Sequence, residues 1–206
     1  MTHFQNPLST WDKRFEGQDF LFGEQPNTYL VSQQNNLKSG NALAIADGEG
    51  RNGVWLASQG LHVDAFDFSP NALAKAEALA TRKGVQLNLH CTDWQSFDWQ
   101  SLHYDNIVGI FFQFADAHDR AEIFKRIDQA LKPGGVVVIQ GYTPAQLKFN
   151  TGGPGKLDHL YTEAMLRDAF ANYQVLDART YEAEIAEGTA HVGMSGLLGF
   201  TAKKPL

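Results

Sequence analysis

The sequence predicts an α/β chain built on a doubly wound, seven-stranded, mostly parallel sheet. Three observations carry that expectation. Short apolar runs recur along the 206 residues and alternate with helix-patterned segments. The first run, Ala42-Leu43-Ala44-Ile45-Ala46, is apolar at every position, which suits a strand buried on both faces. The last two runs, near 175–181 and 195–202, have no helical pattern between them, so they pair as a C-terminal antiparallel hairpin.

The elements follow in order. Residues 1–40 mix aromatic side chains (Trp11, Phe15, Phe20, Phe22, Tyr29) with turn formers, and 28–38 reads as a short helix. This stretch is expected to form a lid or helical extension on a core over 41–206, the whole chain being one domain. Strand one at 42–46 runs into a glycine-rich turn and then a helix over 52–58, closed by Gly60. Strand two covers 62–66. Ser69 and Pro70 then open an alanine-rich helix over 71–83, as N-cap and first helical residue, and Gly84 ends it. Strands three and four are expected at 85–90 and 104–112. A helix over 119–131 is expected to stop at Lys132-Pro133-Gly134-Gly135, ahead of a fifth strand, Val136-Val137-Val138-Ile139. A loop over 143–155 and a helix over 162–170 precede the hairpin.

Composition narrows the function. Hydrophobic residues make up 43% and charged residues 19%, which excludes a disordered chain. The net charge of −6 disfavours a nucleic-acid partner, and basic pairs such as Arg82-Lys83 and Lys125-Arg126 are scattered. A single cysteine, Cys91, excludes an internal disulfide and a cysteine-based metal cluster. No histidine pair has helical metal-ligand spacing, so no metal is expected. The first residues lack an apolar signal core and no run is long enough to span a bilayer, so the cytoplasm is the expected compartment, with no membrane partner.

The chemistry gathers at the ends of the strands. Gly48-Glu49-Gly50-Arg51-Asn52-Gly53 has the spacing G-x-G-x-x-G between strand one and its helix. Glycine there permits a positive φ and a close backbone approach to a ligand, and the helix start favours an anionic group. Asp67 ends strand two, where an acid meets ribose hydroxyls in doubly wound folds. Asp64 is its mid-strand competitor. Asp93 follows strand three and is placed to accept from an adenine amino group. Ligands bind such sheets at the carboxyl ends of the strands.

These segments resemble a known family. Leu43 to Asn52, Val63 to Pro70, Tyr104-Asp105-Asn106-Ile107-Val108 and Leu131-Lys132-Pro133-Gly134-Gly135 resemble the ordered motifs of class I S-adenosylmethionine-dependent methyltransferases. A narrower resemblance reaches the tellurite-resistance and thiol methyltransferases. It rests on Trp11-Asp12-Lys13-Arg14-Phe15, Phe22-Gly23-Glu24-Gln25-Pro26-Asn27, Tyr142-Thr143-Pro144, Thr151-Gly152-Gly153-Pro154 and Glu187-Gly188 with His191-Val192-Gly193. Ala46 stands where the class has its first motif glycine, and Ala44 where it has an acid. The resemblance implies a Rossmann-like fold, S-adenosyl-L-methionine as cofactor and a small-molecule acceptor, a thiol or a metalloid oxyanion, in a monomer or homodimer. The candidate cofactor-binding residues are Arg14, Ala46, Asp47, Gly48, Glu49, Gly50, Asn52, Asp67, Phe68, Ser69, Asp93, Trp94 and Phe111. Asp47 or Glu49 would meet the amino end, and Arg14 the carboxylate.

Methyl transfer is an in-line displacement that wants a dry, aromatic-walled site and alignment to within about 3–3.5 Å. Phe111, Phe112, Phe114 and Tyr142 supply walls, with Trp11, Phe20, Phe22 and Tyr29 as lid. The candidate catalytic residues are His191, Tyr142 and Gln113; His118 and His159 are weaker acid–base candidates. Two alternatives stay open: a nicotinamide-dependent oxidoreductase, from the bare glycine spacing and Asp67, and a cofactor-binding module without turnover, from Ala44 and Ala46.

Overall fold

The computed structural model describes residues 7–101, 103–149 and 151–206. Its seven-stranded sheet has the order β3-β2-β1-β4-β5-β7-β6. The strands are β1 (Asn41–Ile45), β2 (His62–Asp67), β3 (Asn88–Cys91), β4 (Tyr104–Ile110), β5 (Leu131–Tyr142), β6 (Gln174–Glu187) and β7 (His191–Lys203). Strands β1 to β5 pair in parallel, and β7 runs antiparallel to both β5 and β6. This is the Rossmann-like architecture expected, with its antiparallel hairpin at one edge. The strand order reverses between β1 and β4, and a ligand crevice opens at such a switch point.

The apolar runs form the strands because each is covered on both faces. Leu43, Ile45, Ile107, Val137 and Ile139 face a core shared with α5 (Ala117–Ala130) and α6 (Glu163–Ala169). Ala42, Val108, Val136 and Val138 face the other side, against α2 (Thr28–Ser32) and α3 (Arg51–Ser58). The helix α4 (Pro70–Lys83) packs on α3, and α1 (Pro7–Arg14) packs on α4. Each buried aliphatic side chain contributes about 1.5–3 kcal/mol relative to exposure.

Local signals place most boundaries. The Ser69 hydroxyl accepts from the Ala72 N–H at 3.1 Å, with Pro70 at the first helical position and Gly84 left-handed at the C-cap. Asp116 caps α5 by accepting from the His118 and Asp119 N–H groups, which starts that helix before the expected 119.

Several elements differ from the sequence expectation. The helix at 28–38 is α2 followed by a separate 3-10 turn, Gln34–Asn36. Strand three is only Asn88–Cys91. The Lys132-Pro133-Gly134-Gly135 run lies inside β5, as an irregularity in its pairing with β4, because Gly134 and Gly135 exchange backbone bonds with Lys204 and Pro205. The last two strands extend well past 181 and begin well before 195, so their hairpin projects beyond the Tyr142 end of β5. No helix among the described residues is long and apolar enough to cross a membrane.

Candidate active site

The crevice at the switch point is marked by backbone geometry. Among the described residues, the non-glycine positions with positive φ are Ala46 (47°) and Phe111 (54°). They follow β1 and β4, the two strands where the order reverses. Ala46 takes the left-handed conformation that explains why glycine is the usual residue there. A bulky residue held left-handed, as Phe111 is, marks a position where the surrounding structure dictates the backbone.

The turn after β1 is tightly made. Gly48 (φ 58°) and Gly50 (φ 84°) are both left-handed. A Cβ on Gly50 would lie 2.5 Å from Ala76 Cβ, so this glycine lets α3 and α4 approach. Asp67 Oδ2 accepts from the Gly48 N–H at 3.0 Å and Oδ1 from the Ser69 N–H at 2.9 Å. Burial pushes the Asp67 carboxyl up, against the Ser69, Gly48 and Phe68 amides. Asp47 Oδ2 accepts from the Gly53 N–H at 2.9 Å. Burial pushes the Asp47 carboxyl up to about 7, the Gly53 bond and Arg51 only partly opposing it. Two desolvated acids thus line one small turn, an arrangement suited to a cationic ligand that also carries hydroxyls.

Glu49 and Asn52 are differently engaged. Glu49 accepts from the Leu21 and Phe22 N–H groups at 3.1 and 3.2 Å and pairs with Lys75 at 2.8 Å. Asn52 Oδ1 accepts from the Asn27 N–H at 3.0 Å. Both fasten the N-terminal segment to the turn. Ser69 also donates to Asp12 Oδ1 at 2.6 Å, which docks α1 on the start of α4.

That segment roofs the crevice. Trp11, Phe15 and Phe22 form an aromatic group with centroid separations of 5.8 to 6.3 Å. A Cβ on Gly48 would lie 3.6 Å from the Phe15 ring. The Arg14 guanidinium stacks over Trp11 at 4.2 Å and has no carboxylate partner among the described residues. Phe20 instead packs under Lys75 and Arg82, and Tyr29 is a core residue bonded to Thr201.

The second wall comes from β5 and the hairpin. The His191 ring lies 4.5 Å from Phe22, 4.6 Å from Phe111 and 5.6 Å from Tyr142. Tyr142 Oη is buried without a hydrogen-bond partner, as is His191 Nδ1, which lies 3.8 Å from Glu187 Oε2. Burial lowers the His191 pKa below its ordinary value, Glu187 opposing and Arg51 adding to the shift, so the ring is neutral at neutral pH. Burial pushes the Tyr142 hydroxyl well up, so it stays a proton donor. Gly152 and Gly153 pass beside this pair, and a Cβ on Gly153 would lie 2.6 Å from the Tyr142 ring.

The remaining candidates sit apart from this pair. The Gln113 amide donates to the Tyr142 and His159 carbonyls and accepts from the Tyr142 N–H, so it braces the end of β5. Asp93 is exposed at the end of β3 and caps a turn through the Ser96 N–H. Trp94 is buried beneath Arg126. Phe68 is half-buried beside Asp67. His118 is exposed on α5, and His159 Nδ1 meets the Gln113 carbonyl. The described residues contain no group of three or more metal-ligating side chains.

Residues 42–135, which hold the turn, Asp67 and the end of β4, match the family model for a methyltransferase domain. Phosphoethanolamine N-methyltransferase 2 of Caenorhabditis elegans is 31% identical over 138 residues, covering 63% of this chain and 31% of that protein. The chain spans less than half the length of the curated relatives it matches. Among solved structures, TehB from Haemophilus influenzae superposes with a TM-score of 0.69 at 17% identity, covering 86% of this chain and 62% of that one. N-methyltransferase NodS from Bradyrhizobium japonicum, in complex with S-adenosyl-L-homocysteine, superposes with a TM-score of 0.70 at 15% identity, covering 96% and 98%. The glycine spacing lies within the stretch that matches a methyltransferase domain, and none of these similarities favours the oxidoreductase alternative.

Proposed function

We propose that the chain is an S-adenosylmethionine-dependent methyltransferase that methylates a small, neutral, soft acceptor, a thiol, using His191 as the proton acceptor; the match of residues 42–135 to a methyltransferase domain supports this reading. The residues at the switch point fit the cofactor. Asp67 has lone pairs left for two ribose hydroxyls after serving the Gly48 and Ser69 amides. Asp47, half-buried and only partly compensated by Arg51, suits the ammonium group of the methionine portion, and Arg14 suits its carboxylate. Gly48 and Gly50 let the backbone come close, and Phe111 offers an apolar face at the end of β4. When bound, S-adenosylmethionine supplies an electrophilic methyl group.

The protein's own part is to bind, orient and deprotonate the acceptor. Tyr142 Oη, buried and unpartnered, donates a hydrogen bond to it. His191 is neutral, and its Nε2 has no partner among the described residues, so it takes the acceptor's proton. Glu187, held below its usual range by His191 and Arg51 in spite of burial, then faces the imidazolium that forms. Phe22, Phe111 and Tyr142 keep the site dry, which favours charge neutralisation between a thiolate and a cationic donor. Gln113 braces Tyr142.

One observation carries the choice of acceptor: the unpartnered Tyr142 hydroxyl and the neutral His191 lie together in an aromatic wall. Of the two cations that act on His191, Arg51 is spent on Glu187 and Arg14 is assigned to the cofactor carboxylate. A neutral thiol matches one donor and one base. A metalloid oxyanion wants cations, which this wall does not offer. The test measures S-adenosylhomocysteine formed with a small aliphatic thiol, an amine and tellurite. Turnover with the thiol, reduced by about 10²–10⁴ in His191→Asn, is expected. Turnover with tellurite or the amine but not the thiol would refute the acceptor assignment.

A further inference from the structure

Arg51 opens α3 directly after the glycine turn, and its guanidinium hydrogen-bonds to neither Asp47 nor Asp67 but to the roof and the hairpin. One arm (Nη1) donates to the Phe22 carbonyl at 3.3 Å and the other (Nη2) pairs with Glu187 Oε2 at 2.6 Å. It is 7% exposed and Glu187 is 11% exposed. Glu187 Oε1 in turn accepts from Asn27 Nδ2 at 2.9 Å. The same junction is closed by backbone: the Thr189 and Ala190 N–H groups both donate to the Leu21 carbonyl, and Gly188 packs against Gly23 too closely for any side chain. Three segments far apart in sequence thus meet on one cation: the roof at Leu21–Asn27, the cofactor turn, and the hairpin that carries His191.

Building on the methyl-transfer reading, we propose that Arg51 is a positioning residue that locks the N-terminal roof and the hairpin onto the cofactor turn, and so sets His191 in the acceptor site. Phe22 rests on the His191 ring, so placing Phe22 places the base. Arg51 also shares Glu187 Oε2 with His191, at 2.6 Å against 3.8 Å, and so draws that carboxylate's charge away from the ring. The charged and titratable groups around that ring are Glu187 on its own hairpin, Arg51 on α3, Arg14 on α1 and Tyr142 on β5. A bidentate guanidinium serves both Phe22 and Glu187, whereas a lysine ammonium, a single point charge, serves one at a time.

The test uses the whole chain without ligand and reads hydrogen exchange at the Leu21, Phe22, Thr189 and Ala190 amides. In Arg51→Gln these four exchange at least tenfold faster while the amides of β1 and β4 keep their wild-type rates, and Arg51→Lys falls between. The His191 ring, followed by NMR titration, moves to higher pKa as Glu187 is released. In turnover, kcat and the acceptor KM change while affinity for S-adenosylhomocysteine stays within about twofold. Unchanged exchange at the four amides, or a rise shared equally by β1 and β4, overturns the proposal. If Arg51→Gln does not fold, Glu187→Gln, which keeps the Asn27 contact and removes the charge, is read by the same exchange pattern. A chain that shows the local loosening but binds no S-adenosylhomocysteine contradicts the methyl-transfer reading and leaves the lock standing.

Discussion

Asp47 shows how a single side chain sets a condition on the whole site. Its native carboxyl is pushed up to about 7 by burial, against an ordinary value of 3.8. The native fold therefore favours the protonated form. Its stability cost is absent below the unfolded value, grows as pH rises through the interval, and levels off above about 7. The stability advantage of Asp47→Asn over wild type should widen between pH 4 and pH 7 and then stay constant, as measured by chemical unfolding across that range. A gap that stays flat or narrows would contradict the burial of this acid. A cationic amino group at Asp47 favours the charged form, so cofactor affinity should rise with pH through the same interval. The sequence singled out Asp67 because an acid at a strand end is a local pattern, and Asp47 through the family resemblance. It offered Glu49 to the cofactor and Gln113 to catalysis without showing the contacts that engage them, since those partners lie 26 to 46 residues away.

At the level of elements, helix contacts explain which glycines matter. Gly50 and Gly84 are both left-handed, with φ of 84° and 69°. A Cβ on Gly84 meets nothing within 4 Å, whereas one on Gly50 meets Ala76 Cβ at 2.5 Å and Ala76 Cα at 2.8 Å. Gly84→Ala should therefore cost only the strain of a left-handed alanine, about 1–2 kcal/mol. Gly50→Ala should cost about 1–3 kcal/mol more, because α4 must move away from α3. Thermal melts of the two variants compare these terms, and equal melting points would contradict the close helix contact. Helix starts such as Ser69-Pro70 were legible because capping is local. The strand ends were not. Residues 182–187, Glu182-Ala183-Glu184-Ile185-Ala186-Glu187, are rich in glutamate and alanine, which favour strands weakly, and none of them is fully buried, a composition that hides a strand. Lys132 to Gly135 read as a stop because Pro and Gly break local structure, yet backbone bonds to the C-terminal residues draw that run into β5.

On the scale of the whole molecule, the sheet supplies a crevice and two distant segments finish it. The parallel strands bring Ala46, Asp67 and Phe111 to one edge, which the alternation of strands and helices made readable. The N-terminal segment and the hairpin arrive from opposite ends of the chain and meet at Arg51, Glu187 and Asn27. That junction was visible in the sequence only as unconnected motifs, since no periodicity relates residues 136 or 160 positions apart. Its assembly over the glycine turn is what separates this site from a bare nucleotide-binding fold, and the occupant of the turn is the premise on which the account rests. Isothermal titration with S-adenosylhomocysteine, wild type beside Asp67→Ala, tests that premise directly. Binding by the wild type, weakened by about 1–3 kcal/mol in a variant that still melts cooperatively, is the predicted result. A folded wild type that takes up no S-adenosylhomocysteine would contradict it.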